Sequence, residues 1–143
     1  MFCSISAAAV DAIRRHAAEA YPREGCGLLV GVDDFDQRVI EYAVPTRNEE
    51  RDAHRYSIAP EAFLEAEKAA RMQGLEVLGF FHSHPDLDPQ PSKSDVAEGW
   101  SHYTYVIVSV HGGECRSMAA WRLEGGFFEP VPLHISESSR ETR

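Results

Sequence analysis

The strongest constraint on this chain is an apolar run that ends in two histidines. Residues 77–81, with the sequence Val-Leu-Gly-Phe-Phe, read as a buried strand that follows a break at Gly74. His82 and His84 come at the end of that run, two positions apart. Because residues i and i+2 of a strand point to the same face, both imidazoles are predicted to leave the strand in one direction, with Ser83 turned away.

The chain after the second histidine cannot continue as a central strand. Pro85, Pro89 and Pro91 predict a stiff loop. A helix is predicted to begin at Ser92, and because residues i and i+3 share a helix face, Ser92 and Asp95 can look back at the histidine pair. Each part alone has a plain structural explanation, since Ser-x-x-Asp is a capping box and His-x-His is often only a polar strand end. The combination of the two parts favours a functional site that contains the histidine pair, Ser92 and Asp95.

Two neutral imidazoles and one carboxylate are a ligand set for a divalent metal, and zinc is the predicted ion, one per chain. The predicted ligands are His82, His84 and Asp95. Three protein ligands leave a fourth position for water, which is typical of a catalytic rather than a structural zinc site.

The spacing His-x-His-x7-Ser-x-x-Asp resembles the JAMM motif of the MPN+ metalloprotease family. That family also has a glutamate shortly before a strand, and residues 24–27, Glu-Gly-Cys-Gly, look like its Glu-x-Cys-Gly segment. The resemblance covers residues 7–124. It implies a zinc-dependent hydrolysis of a peptide or isopeptide bond, with Glu24 and Ser92 as the catalytic residues.

Each of these two residues has a chemical role that suits amide hydrolysis. Glu24, as a carboxylate that is not a metal ligand, can take a proton from the attacking water and later give it to the departing amine. The Ser92 hydroxyl can donate a hydrogen bond to the oxyanion, a contribution of roughly 3 kcal/mol. Cys26 lies in an apolar run with no base adjacent in sequence, and it is predicted to be a packing residue rather than a nucleophile.

The resemblance also implies a class of substrate. The chain has short connections, like stand-alone prokaryotic members that cut after the C-terminal Gly-Gly of small ubiquitin-like sulfur-carrier proteins. Such a tail is expected to bind as an added strand at an exposed edge beside the motif. Two alternatives stay open: a non-catalytic MPN-type scaffold that binds proteins, and a zinc hydrolase of a non-peptide substrate such as a deaminase, although the usual Pro-Cys-x-x-Cys segment is missing.

Composition limits the remaining classes of function. A net charge of −9 with no basic patch argues against nucleic acid as a partner. Three cysteines without a Cys-x-x-Cys pair argue against a disulfide framework and favour a reduced, cytoplasmic setting. We see no signal peptide and no apolar run long enough to span a membrane.

The pattern of elements predicts one α/β domain over residues 1–135, followed by a polar, disordered tail over 136–143. Helices are predicted at 5–20 and 60–72, and strands at 26–30, 38–44, 55–58, 103–110, 116–123 and 127–133. The expected architecture is a curved mixed sheet flanked by helices, similar to the MPN/JAMM fold and to cytidine-deaminase-like proteins. His16, His54, His102, His111 and His134 have no spacing partners and are left out of the site.

Overall fold

The computed structural model describes residues 2–136, apart from the side chains of residues 96–98. In chain order these residues form β1 (Phe2–Ser6), α1 (Ala7–Ala20), β2 (Cys26–Asp34), β3 (Gln37–Thr46), α2 (Pro60–Met72), β4 (Glu76–Pro85), α3 (Lys93–Glu98), β5 (Thr104–His111), β6 (Glu114–Glu124), β7 (Phe127–Val131) and β8 (Leu133–Ser136). The predicted α/β class with a mixed sheet is confirmed.

All eight strands belong to one sheet, in the order β7-β6-β5-β4-β2-β3-β1-β8. β4 pairs in parallel with β5, and β1 pairs in parallel with both β3 and β8, whereas the other neighbours are antiparallel. Register shifts interrupt the pairing of β2 with β3 and with β4, and that of β5 with β6. Bulges of this kind bend a strand and increase its twist, so they favour a curved sheet.

The two edges of the sheet are joined by a single residue. β7 and β8 lie at opposite ends of the strand order, yet only Pro132 separates them in sequence. The sheet must therefore curl until its edges approach each other. Proline suits this point because it cannot donate to a strand ladder, while its carbonyl still accepts a hydrogen bond from Cys3 N at 2.9 Å.

The helices α1 and α2 cover opposite faces of the central strand. His16 of α1 contacts Phe81, whereas Phe63 of α2 stacks near Phe80. Phe80 and Phe81 are neighbours in β4 and so point to opposite faces. The core on the α1 side is built from the predicted apolar stripe of that helix, in which Ala9, Val10, Ile13 and Ala17 are buried.

Three predictions about the elements were wrong. The first helix begins at Ala7 rather than residue 5, because the alternation in Phe2–Ser6 forms an extra strand, with Cys3 and Ile5 buried. Residues 55–58 form no strand. The predicted strand 127–133 is divided at Pro132 into β7 and the start of β8.

The predicted division into a domain and a tail needs one adjustment. Ser136, assigned to the tail, is the last residue of β8, and the rest of the predicted tail lies outside the described residues. Among residues 2–136, no helix is long and apolar enough to cross a membrane.

Candidate metal centre

The two histidines occupy one face near the end of β4, as the strand period predicts. β4 is central, paired with β2 as far as His82 and with β5 as far as Pro85, so both imidazoles are held by a rigid sheet. His82 and His84 are 1% and 2% exposed. β4 itself has a neighbour on each side up to His82, so the expected binding of a tail at an exposed edge beside the motif stays a prediction.

Asp95 reaches the histidines through the first turn of α3. Ser92 is the N-cap of that helix, and its Oγ accepts a hydrogen bond from Asp95 N at 3.1 Å. In return, Asp95 Oδ2 accepts from Ser92 N at 2.8 Å. The capping box is therefore formed, and it aims the same carboxylate oxygen at the histidine pair.

Three ligand atoms converge at this point. His82 Nε2 and His84 Nε2 are 3.2 Å apart, and each lies 3.1 Å from Asp95 Oδ2. Ligands about 2.0–2.1 Å from one tetrahedral ion lie about 3.3 Å from each other. The trio therefore fits a divalent metal ion, and among residues 2–136 it is the group of histidine, cysteine and acidic side chains whose ligand atoms come together in this way.

The orientation of His84 is fixed by the loop that follows the strand. His84 Nδ1 lies 2.9 Å from the carbonyl oxygen of Asp88, so this nitrogen carries the proton and donates it. The lone pair of Nε2 then faces Asp95. A ring nitrogen that donates to a backbone carbonyl is the usual support of a metal-binding histidine.

His82 is supported by stacking. The ring of Tyr56 lies against it, with ring centroids 4.4 Å apart and planes 19° from parallel. His82 Nδ1 is buried and has no hydrogen-bond partner among the described residues. The ring is therefore held by packing, whereas the ring of His84 is held by a hydrogen bond.

In the metal-free protein, the pKa shifts of two of the three residues suit a cation. Burial lowers the pKa of His82, which keeps its imidazole neutral. For Asp95, burial raises the pKa, but hydrogen bonds with His82 and His84 outweigh it and hold the pKa well below its usual range. Burial also lowers the pKa of His84, but the hydrogen bonds with Asp95 and the Asp88 carbonyl outweigh this effect, so the pKa is raised.

Glu24 lies two residues before β2, beside the histidine strand. Gly25 N donates to Ser83 Oγ at 2.8 Å, and Ser83 N donates to Gly25 O at 3.0 Å, which joins the two segments. Glu24 is only 5% exposed, and its Oε1 has no hydrogen-bond partner among the described residues. Burial raises the pKa of this carboxyl to about 8, an effect that the charge of His84 partly offsets.

A family model for prokaryotic homologues of the JAB domain, Prok-JAB, matches residues 6–124. The chain belongs to the Prok-JAB family. The resemblance to JAMM/MPN+ proteins inferred from the motif is thereby confirmed.

Three curated proteins are similar in sequence to this chain. A desampylase of Haloferax volcanii is 38% identical over 117 residues, which cover 76% of this chain and 81% of that protein. A probable TtuB-protein conjugate cleaving protease of Thermus thermophilus is 33% identical, over 72% of this chain and 67% of that protein. A CysO-cysteine peptidase of Mycobacterium bovis is 28% identical, over 93% and 90%.

A solved structure supports the fold. The JAB1/MPN domain protein AF2198 of Archaeoglobus fulgidus superimposes with a TM-score of 0.61 at 21% identity, covering 94% of this chain and 99% of that one. The JAMM/MPN architecture is therefore confirmed. Two of the relatives are named as a protease and a peptidase.

Cys26 of this Prok-JAB chain is fully buried, as predicted. Burial raises the pKa of its thiol to about 11, and its Sγ lies 3.6 Å from Thr46 Oγ1. A thiol of this kind is a poor nucleophile, which agrees with its assignment as a packing residue.

Sequence reasoning missed three groups that support the Prok-JAB site: the Tyr56 ring, the Asp88 carbonyl and the Asn48 side chain. Tyr56 had been assigned to a strand, and Asp88 acts through its backbone, so its residue type carries no signal. Asn48 donates to Glu24 O at 2.9 Å. A lone asparagine in a polar connection gives no hint of such a contact.

Proposed function

We propose that this chain is a zinc-dependent peptidase that hydrolyses the amide bond after the C-terminal Gly-Gly of a small ubiquitin-like sulfur-carrier protein. The observation that carries the proposal is the convergence of His82, His84 and Asp95 near buried Glu24, whose Oε1 has no hydrogen-bond partner in the described part of the chain. Two imidazoles and a carboxylate are a donor set that zinc prefers.

When bound, zinc would supply a Lewis acid for the scissile carbonyl and lower the pKa of a water molecule to about 7. His82, His84 and Asp95 would hold the ion, with their ring and carboxylate orientations preset by Tyr56, the Asp88 carbonyl and the capping box. A site organised in this way needs little rearrangement when the substrate arrives.

Glu24 takes the proton of the attacking water and passes it to the amine that leaves. A carboxyl with a raised pKa suits both steps, because it can accept a proton and also release it near neutral pH. Since no described residue bonds its Oε1, that oxygen is available for the proton transfer.

Ser92 donates a hydrogen bond from its hydroxyl group to the oxyanion that develops on the scissile carbonyl. Its Oγ already accepts from Asp95 N and lies 3.1 Å from Ser94 Oγ. Because the helix cap uses Ser92 Oγ only as an acceptor, its hydroxyl hydrogen can point to the substrate without loss of the cap.

The names of the relatives support the substrate class, since they act on a TtuB-protein conjugate and on CysO-cysteine. A largely apolar cavity of about 440 Å³ borders Asp95, with Tyr56, Phe63, Phe80 and Trp100 among its lining residues. An extended tail can place an apolar side chain there, because glycines next to the scissile bond let the backbone approach the metal centre closely.

The experiment is a cleavage assay on a ubiquitin-like carrier that bears a short extension after Gly-Gly, followed by intact mass. We expect release of the extension at that junction, loss of cleavage with a chelator and recovery with zinc. A matched carrier with Gly-Gly replaced by Val-Val controls for sequence. An uncut carrier, alongside cleavage of unrelated peptides, would contradict the substrate and point to a general peptidase.

A further inference from the structure

Asn48, the one asparagine of the chain, makes a hydrogen bond with each donor and acceptor position of its side-chain amide. Its Nδ2 donates to Glu24 O at 2.9 Å and to Arg55 O at 3.0 Å. Its Oδ1 accepts from Glu50 N at 2.9 Å and from Ser57 N at 3.1 Å. A primary amide has two donor hydrogens and two acceptor lone pairs, and here all four are occupied. With two carbonyls on one side and two N–H groups on the other, only one orientation of the amide fits.

These bonds join two parts of the candidate site. On one side is the backbone of Glu24, whose carboxylate Oε1 has no hydrogen-bond partner among the described residues. The hydrogen bond from Asn48 holds the main chain of Glu24. A shift of this main chain would move the carboxylate with it.

On the other side is the segment that carries Tyr56. Asn48 binds the carbonyl before Tyr56, that of Arg55, and the N–H after it, that of Ser57. A further bond from Glu49 N to Ser57 O, 2.9 Å long, closes the loop between them. The Tyr56 ring stacks on His82, so the same amide that holds Glu24 also fixes the packing of a metal-ligand ring.

We infer that Asn48 is a positioning residue, which sets the Glu24 carboxylate and the Tyr56 ring relative to His82. The inference rests on the proposed role of Glu24 as the base. A displacement of about 1 Å at a reacting group can cost about 10²-fold in rate. We expect Asn48→Ala to lower kcat about 10- to 100-fold, with a smaller change in KM and with metal content retained.

Arg23 offers a matched control. Its guanidinium also ties the Glu24 side to this loop, through Arg51 O at 3.0 Å and through Glu50 O. It therefore supports the loop as Asn48 does, but it does not bind the residues that flank Tyr56. Arg23→Met removes both bonds with little change in volume, and we expect a loss of stability without the fall in kcat. An equal fall in kcat for Arg23→Met and Asn48→Ala would overturn the inference.

A double-mutant cycle tests whether Asn48 acts through Glu24. In a Glu24→Gln background, Asn48→Ala should leave the residual rate unchanged within about 3-fold, because mutations that act through one group are not additive. A full further loss would show that Asn48 supports the fold only. If Asn48→Ala does not fold, Asn48→Asp keeps the shape and the acceptor oxygens but removes both donors, and the same results are expected.

A readout without substrate separates this inference from the proposed function. The Tyr56 ring lies close enough to shift the ring-proton resonances of His82 in an NMR spectrum of the zinc-loaded protein. Asn48→Ala should move those resonances, whereas Arg23→Met should not. If the wild type cuts no carrier, the proposed function fails, and the NMR comparison still decides the positioning role. Unmoved His82 resonances in Asn48→Ala would contradict it.

Discussion

The proposed metal ligands and Glu24 are neighbours in the candidate site, but they are held in opposite ways. Asp95 Oδ2 has three polar partners, His82 Nε2, His84 Nε2 and Ser92 N, all within 3.1 Å. Glu24 Oε1 has none among the described residues. The ligands therefore stabilise each other, whereas Glu24 is held by hydrogen bonds to its main chain, from Asn48 and through the Gly25–Ser83 contacts.

This difference predicts that metal binding and catalysis depend on different residues. Ligand atoms with fixed mutual distances make a site that is ready for an ion. An unpaired, buried carboxylate with a raised pKa costs stability, but it leaves one oxygen free for proton transfer. The contrast predicts that changes among the ligands remove the metal, and that changes at Glu24 remove the reaction while the metal stays bound.

The largest effect is expected from His84→Ala. Two remaining ligands do not hold a catalytic zinc, so metal content should fall from about one ion per chain to none, with hydrolysis at background. Elemental analysis after refolding with zinc measures this directly. His111→Ala, at the end of β5 and outside the ligand group, is the control and should keep its zinc. Full zinc in His84→Ala would mean that the ligand set is wrong.

Glu24→Gln should keep the metal and lower kcat by about 10²–10⁴-fold, because the amide cannot accept the proton of the attacking water. The measurement pairs elemental analysis with single-turnover kinetics on the carrier. Glu49→Gln is a control for the loss of one negative charge nearby. Loss of zinc in Glu24→Gln would place Glu24 among the ligands and break the contrast between the two parts of the site.

The same contrast explains what the sequence could predict of the site. His82, His84, Ser92 and Asp95 lie within one strand, loop and helix turn, so their spacing determines their geometry. Glu24 reaches the site only through the pairing of β2 with β4, and without the family resemblance it would have been read as an exposed loop residue. Tyr56 and Asn48 depend on a loop without periodicity, and no local pattern predicts where such a loop packs.

For the fold, too, the features that depend on local sequence could be predicted, and those that depend on distant contacts could not. The helix Pro60–Met72 was predicted with its observed bounds, since proline at its start and Gly74 after its end mark them locally. β1 was missed because a strand of five residues, placed between β3 and β8, is specified by distant partners rather than by its own sequence. The curl of the sheet is likewise a property of the strand order, which no single segment contains.

Ser92→Ala should have a smaller effect than Glu24→Gln, a fall of about 10²–10³-fold in turnover, through loss of the oxyanion donor. The helix cap is lost as well, which costs about 1 kcal/mol of stability. Ser6→Ala separates the two effects, because Ser6 Oγ caps α1 by accepting from Ala9 N at 3.0 Å, on another helix. It should lower the melting temperature without slowing turnover. A Ser92→Ala variant as active as Ser6→Ala would contradict the catalytic role.

The smallest effect is on stability, and it tests the cost of the unpaired carboxylate. In the metal-free protein, Glu24 has a pKa of about 8, raised by burial from an ordinary value of 4.5. Between these two pH values the unfolded chain has lost this proton and the folded chain has kept it. The contribution of Glu24 to stability is therefore complete below about pH 4.5 and is lost as the pH rises through 8.

Glu24→Gln has no such proton to lose. The melting temperature of metal-free Glu24→Gln, minus that of the metal-free wild type, should therefore grow as the pH rises from about 5 to 8 and level off above that. The metal-ligand histidines titrate in both proteins and largely cancel in the difference, and the exposed Glu19→Gln is the charge control. Thermal unfolding with a chelator measures the difference. Bound zinc should reduce it, because a nearby cation favours the ionised carboxylate. A difference that is flat with pH would mean that water reaches Glu24 in solution, and the proposed contrast between paired ligands and an unpaired base would fail.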